Sequence, residues 1–148
     1  MAILFVLSGT TAFSQKYKTA SDTVKLNKEY VEISEDVADL TNKLNTAQGK
    51  LPGYQNKASE AVSDAHQTAI KSSEQSSKAI DGDVGDARKA NRKAKKALRD
   101  AKDVEDAKDE VKDQDRKISR LNSQLQKKQK KLEELESMRS AIRNLPPQ

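Results

Sequence analysis

The 148-residue sequence has no cysteine and no tryptophan, and it has a single histidine, His66. Without cysteine there is no disulfide framework, no thiolate metal site, no cysteine nucleophile and no lipid attachment through a cysteine. One histidine leaves no histidine-rich metal site. Aromatic residues make up 3% of the chain, against 34% hydrophobic and 34% charged residues. That is too little large apolar surface to fill a round core, which leaves disorder, a coiled coil or a thin bundle. A long apolar run is also missing. The apolar stretch at Met1–Leu7 is far shorter than the ~20 residues a helix needs to span a bilayer, so no integral membrane span is expected. Charge of one sign is scarce as well: 28 basic and 23 acidic residues give a net charge of +5, too small an excess to indicate nucleic acid.

What is present is a seven-residue rhythm. Between Asp86 and Leu145 there is neither glycine nor proline, and Ala90, Ala97, Val104, Val111, Ile118, Leu125 and Leu132 recur at one heptad position. A repeat held that long belongs to a helix laying one narrow seam on a partner helix. At ~1.5 Å per residue that helix would be on the order of 90 Å long. The chain before it carries the same signal. Ser21 or Asp22 can cap a first helix, whose apolar positions Leu26, Tyr30, Ile33, Val37, Leu40, Leu44, Ala47 and Leu51 alternate in steps of four and three.

Pro52 and Gly53 then interrupt the pattern. Proline removes a helical hydrogen bond and clashes with the preceding turn, so the first helix is expected to end or kink near Leu51. A second helix is expected to resume by about Lys57 on a seam of small residues, Ala58, Val62, Ala65, Ala69, Ser72, Ser76 and Ala79. Such a seam buries little area and forms the less stable segment. Asp81-Gly82-Asp83-Val84-Gly85-Asp86 is the clearest turn, with glycines able to take positive φ and aspartates able to cap. The returning helix opens on Ala87, Ala90, Ala94, Ala97 and Ala101, passes Val104 and Val111, and ends on Ile118, Leu121, Leu125, Leu132, Leu135, Met138, Ile142 and Leu145.

Folding the chain back at the glycine turn aligns the arms. Ala69 comes opposite Ala97 and Val62 opposite Val104; farther on, Leu44 meets Leu121, Leu40 meets Leu125, Ile33 meets Leu132 and Tyr30 meets Leu135. Small residues face small ones near the turn, and large face large at the open end. The expected fold is all-α, a long antiparallel coiled-coil helical hairpin over 21–145 with a Pro-Gly break in the first arm and helices at about 21–51, 57–80 and 86–145. The alternative is a three-helix bundle formed by folding back at Pro52, but each helix shows one narrow seam where a three-helix core needs wider apolar faces.

The interaction seam is therefore expected at Leu26, Tyr30, Ile33, Val37, Leu40, Leu44, Val104, Val111, Ile118, Leu121, Leu125, Leu132 and Leu135. A basic face at Arg88, Lys89, Arg92, Lys93, Lys95, Lys96, Arg99 and Lys102 is suited to an anionic surface. No aromatic interleaves with it, however, and Asp100, Asp103, Asp106 and Asp109 directly follow it, as on a solvated helix face. Lys127, Lys128, Lys130 and Lys131 come opposite the acidic first helix; Lys128 falls on the seam opposite Val37, its stem inside and its charge at the rim. Asp81, Asp83 and Asp86 lack the spacing and terminal glutamate of an EF-hand loop, and helix capping accounts for them. His66 has no acid–base partner at catalytic spacing. No catalytic residue, cofactor or metal site is expected, and a thin hairpin has no pocket to desolvate a substrate.

The first residues differ from the rest. Met1–Leu7 followed by Ala12-Phe13-Ser14-Gln15 has the small-x-small pattern that precedes signal-peptidase cleavage, which implies a signal peptide over 1–14, a linker over 15–20 and a short tail at 146–148. With the heptads, this pattern resembles the small exported coiled-coil proteins of Gram-negative bacterial envelopes. The resemblance implies a periplasmic or secreted, non-enzymatic structural or adaptor protein that pairs with a protein partner or with itself. In size, basic charge and hairpin arms the chain is also similar to periplasmic holdase-type chaperones, which implies as the alternative the binding of unfolded envelope proteins.

Overall fold

A computed structural model describes residues 22–144; the signal peptide expected at 1–14, the linker at 15–20, Leu145 and the tail lie outside them. The described residues form two helices, α1 (Thr23–Ile80, 58 residues) and α2 (Val84–Arg143, 60 residues). They pack against each other as a helical hairpin, and no strand occurs among the described residues. Cross-helix pairs within residues 38–126 show the antiparallel sense: Lys57 meets Glu110, while earlier in α1 Ala47 meets Gln114, later in α2. Among the described residues there is no third helix of the alternative bundle.

The break expected at Pro52 does not occur, and the helices expected at 21–51 and 57–80 are one. Pro52 and Gly53 are exposed, as is Gln48, whose carbonyl loses its helical donor and is left to water. Interior proline costs about 3 kcal/mol and glycine about 1 kcal/mol relative to alanine. Against this stand Leu44, Ala47, Leu51 and Tyr54, buried or half-buried on both sides of the proline. Large apolar side chains contribute ~1.5–3 kcal/mol each when fully buried. The seam outweighs the local defect, and the helix runs through.

An unbroken helix also carries its phase forward. From Leu51 and Tyr54 the next inward positions are Ala58, Ala61, Ala65, Thr68, Ser72, Gln75 and Ala79, all buried or half-buried. Val62, Ala69 and Ser76, expected on the seam, are exposed instead. A restart after Pro52 would have allowed the expected phase; continuity excludes it. On α2 the corresponding correction moves Ala87, Ala94 and Ala101 to the outside, while Asp86 and Asp100 are half-buried.

The connection is short. Asp83 caps α2: its Oδ1 accepts from the backbone N–H of Asp86 at 3.0 Å, and its carbonyl accepts from Ala87 at 3.1 Å. The helix thus begins at Val84, ahead of the expected Asp86, and no glycine among the described residues has positive φ. Gly82 is required for closeness instead: a Cβ there would lie 2.8 Å from the carbonyl oxygen of Lys78 and 2.8 Å from Asp86 Oδ2.

The single domain expected over 21–145 divides by its contacts into two compact units. Unit 1 pairs the start of α1, up to Val37, with α2 from Lys127 onward; unit 2 is Ala38–Gln126. Unit 1 centres on Leu26, Ile33 and Leu135, with Tyr30, Val37, Leu132, Met138 and Ile142 packed around them. The buried side chains of unit 2 are Leu44, Ala47, Ala107, Leu121 and Leu125, with Gln75 and Gln114.

Candidate interaction surface

In unit 1 the seam is made of large side chains, and charge stays at its rim. Lys128 occupies a seam position and is half-buried, its ammonium 2.6 Å from Asp36. Lys131 pairs with Glu29 at 2.6 Å, and the Arg139 guanidinium lies 4.3 Å above the Tyr30 ring. Two members of the α2 lysine cluster, Lys128 and Lys131, therefore meet acids of α1, as the folded-back alignment requires. A shallow depression of about 340 Å³ lies among Leu26, Asn27, Arg139 and Ile142.

In unit 2 the seam changes along its length. Val104, Val111 and Ile118 are half-buried beside buried Leu121 and Leu125. At Gln114 a polar residue takes an inward position, 7% exposed, and its Nε2 donates to the backbone carbonyl of Ala47. Gln75 is similarly enclosed, and no buried side-chain nitrogen or oxygen among the described residues lacks a hydrogen-bond partner. Gln75, Thr68, Asp100, Ala107 and Gln114 were not expected on the seam. Stepping by three and four from Val104 finds both Ala107 and Gln114, so the signal was positional and their polarity or small size hid it.

Asp100 shows how this part of the seam is neutralised. Its side chain is 16% exposed and pairs with Lys96 at 2.8 Å. The Lys96 ammonium, and after it the Thr68 hydroxyl across the seam, hold its carboxyl below the usual value. Farther from the turn, Lys57 meets Glu110 at 2.7 Å, and that hydrogen bond raises the Lys57 ammonium above the usual value.

The residues of the expected basic face are all exposed. Lys96 is engaged by Asp100, and Lys89 lies 3.2 Å from Asp86. Arg88, Arg92, Lys95 and Lys102 have no carboxylate partner among the described residues. A shallow depression of about 420 Å³ runs past Val84, Ala87, Arg88, Asn91 and Arg92. In the same unit the largest apolar side chains near the turn point outward: Val62 is 44% exposed, Leu98 74% and Ile80 81%.

Asp83 and Asp86 serve the helix start, and among the described residues no group of three acidic or histidine side chains could hold a metal ion. His66 is exposed. No helix among the described residues is long and apolar enough to cross a membrane. The chain matches no protein-family model, and neither the curated proteins nor the solved structures include a significant match to it.

Proposed function

We propose that this protein is a non-enzymatic structural or adaptor coiled coil of the cell envelope that acts through helix–helix interaction with another protein. The observation that carries this reading is the inverted distribution of apolar side chains in unit 2. Near the turn the seam holds alanine, threonine, serine and glutamine, while Val62, Ile70, Ile80, Val84 and Leu98 face solvent. Large apolar side chains kept outside while small and polar ones fill the seam suit a surface that meets a partner. The envelope assignment rests on the export pattern of residues 1–14 and on the resemblance to exported coiled-coil proteins.

The same outward apolar residues, beside the basic α2, favour a second reading, a holdase-type chaperone. Photo-crosslinking in cells from Val31 and from Leu98, both exposed, separates the two. An adaptor yields one or a few discrete adducts. A spread of many adducts, together with suppression of client aggregation at stoichiometric concentration, would replace the adaptor with the chaperone. Absence of adducts from both positions would remove both. The export reading has its own check: the N-terminus of the mature protein should be Gln15, and an unprocessed chain retained in the cytoplasm would overturn it.

A further inference from the structure

Four outward apolar residues of unit 2, Val62, Ile80, Val84 and Leu98, lie along one edge of the helix pair. Residues that directly follow the inward positions Ala61, Thr68 and Gln75 are Val62, Ala69 and Ser76. Those that follow Lys93 and Asp100, the same heptad position on α2, are Ala94 and Ala101. In an antiparallel pair the positions following the seam meet on one side, and those preceding it meet on the other. Lys57 precedes Ala58 and Glu110 precedes Val111, and their ion pair marks that other side. Continuing the first edge one position outward reaches Ile80 on α1 and Val84 and Leu98 on α2, 81%, 70% and 74% exposed. Ile70 lies farther out again, at the heptad position of Ser63 and Ser77 that points away from the seam, and is not part of this edge.

The flanking row is free of charge and amide only here, although one position outward Ile80, Val84 and Leu98 share their row with His66, Ser73 and Asn91. Farther along the same side of unit 2 the flanking row carries Gln48 and Gln55 from α1 and Lys108 and Asp115 from α2. Within the apolar stretch the hydroxyls of Ser76 and Ser77 donate back to the carbonyls of Ser72 and Ser73, at 2.9 and 3.2 Å. They demand no polar partner. A two-helix seam built from alanine leaves the flanking positions free to contact a third helix, as flanking positions do in higher-order coiled coils.

Charge identifies the occupant. Arg88, Lys95 and Lys102 recur at seven-residue intervals on the outer face of α2, one row beyond Val84 and Leu98, without carboxylate partners among the described residues. From Val62 to Ile80 the α1 side of this edge supplies no carboxylate. A second copy of the chain presenting the same edge would therefore set a basic row against neutral or basic residues. We propose that this edge is a docking groove for an amphipathic helix of a protein partner, with small apolar residues on its seam and glutamate or aspartate on its flank. From Val62 to Ile80 the groove accommodates about 27 Å of helix, roughly five turns. The inference rests on the adaptor reading and names the chemistry of its partner.

The test uses the chain from Gln15 onward and a set of labelled amphipathic helical peptides with alanine–leucine seams, made with glutamate flanks and again with lysine flanks. Saturable one-to-one binding is expected for glutamate-flanked members, about tenfold tighter than for their lysine counterparts and weakened by added salt. It should be lost in Leu98→Asp, and reduced in Lys95→Gln/Lys102→Gln with helicity unchanged by circular dichroism. Failure of the whole set to bind, or equal binding of both flank types, would overturn the groove. So would a dimer of the chain that dissociates on Leu98→Asp, or preferential Leu98-dependent binding to vesicles containing anionic phospholipid. Discrete cross-links from Val31 with no peptide binding would sink the groove alone and leave the adaptor standing; loss of both would remove the two together.

Discussion

Gln114 on α2 donates its side-chain amide to the backbone carbonyl of Ala47 on α1, and both residues are buried. The accepting carbonyl belongs to the residue just before Gln48, whose own carbonyl loses its helical donor to Pro52. A polar residue at a seam position fixes alignment at a cost in stability. Ala47 can keep the N–H of Leu51 as its intrahelical donor, so Gln114→Leu leaves no orphaned acceptor and should raise the urea midpoint. Gln114→Ala, which leaves a gap as well, should lower stability by about 1–3 kcal/mol. If leucine costs as much as alanine, the bond to Ala47 is a net stabiliser and its role in alignment is not needed to explain it.

Pro52 sits exposed in a helix that continues through it. Pro52→Ala restores the N–H that Gln48 lacks and removes the ring clash, a gain of about 3 kcal/mol in an ideal helix interior. The unfolded chain becomes freer by roughly 0.4–1 kcal/mol, so a net gain of about 2 kcal/mol is expected. Gly53→Ala should add about 0.5–1 kcal/mol, because a Cβ there meets nothing within 4 Å. Thermal unfolding of the two single variants and the double variant checks this. A fall in melting temperature for Pro52→Ala would mean that the φ fixed by proline is worth more to this helix than the hydrogen bond it removes.

Pro52 also shows where the sequence could be followed and where it could not. The hairpin, its antiparallel sense and the pairing of Lys128 and Lys131 with acidic α1 were legible, because large residues at four–three spacing admit one phase and because the arms match in length. From Leu26 to Leu51 each step is fixed by a leucine, isoleucine, valine, tyrosine or alanine, and those side chains are buried or half-buried. After Pro52 the choice lay between Val62 and Ala61, Ala69 and Thr68, and Ser76 and Gln75. Hydrophobicity favours the first of each pair, and continuity of the helix selects the second. The apolar edge proposed for docking was hidden for the same reason: its valine had already been placed inside. The basic face was visible as a cluster, but which of its members find a carboxylate depends on the helix turn, as at Lys96 and Asp100.

Asp100 gives stability a pH dependence whose sign can be stated. Its folded-state pKa is lowered, first by Lys96 and then by Thr68. The unfolded chain therefore takes up a proton at this group at higher pH than the folded chain does. The stabilisation is fully present above the ordinary carboxylate range and is lost as pH falls through that range to the lowered value. Asp100→Asn should flatten this part of the acid limb in a pH series of urea midpoints. An acid limb of unchanged slope would show that the Lys96 and Thr68 contacts are too solvated to register.

At the turn, two glycines separated by two residues should respond differently to the same substitution. A Cβ on Gly82 would come 2.8 Å from the Lys78 carbonyl oxygen, which is backbone in the last turn of α1 and cannot move without unwinding it. Gly82→Ala should cost about 1–3 kcal/mol, the usual penalty for forcing extra atoms into a filled site. A Cβ on Gly85 meets only the Asp83 carboxylate, with Oδ1 at 2.9 Å. That oxygen is the cap that accepts from Asp86, so Gly85→Ala sets the helix-propensity gain of alanine, about 1 kcal/mol, against a strained cap of comparable worth, about 1 kcal/mol. It should be close to neutral. Asp83→Ala loses the cap outright without adding a clash, and should fall between the two. Hydrogen exchange of the 72–95 region, measured beside global unfolding, reads this order even if the turn opens locally. Equal effects of the two glycine variants would show that the turn rearranges freely and that the close approach at Gly82 does not constrain it.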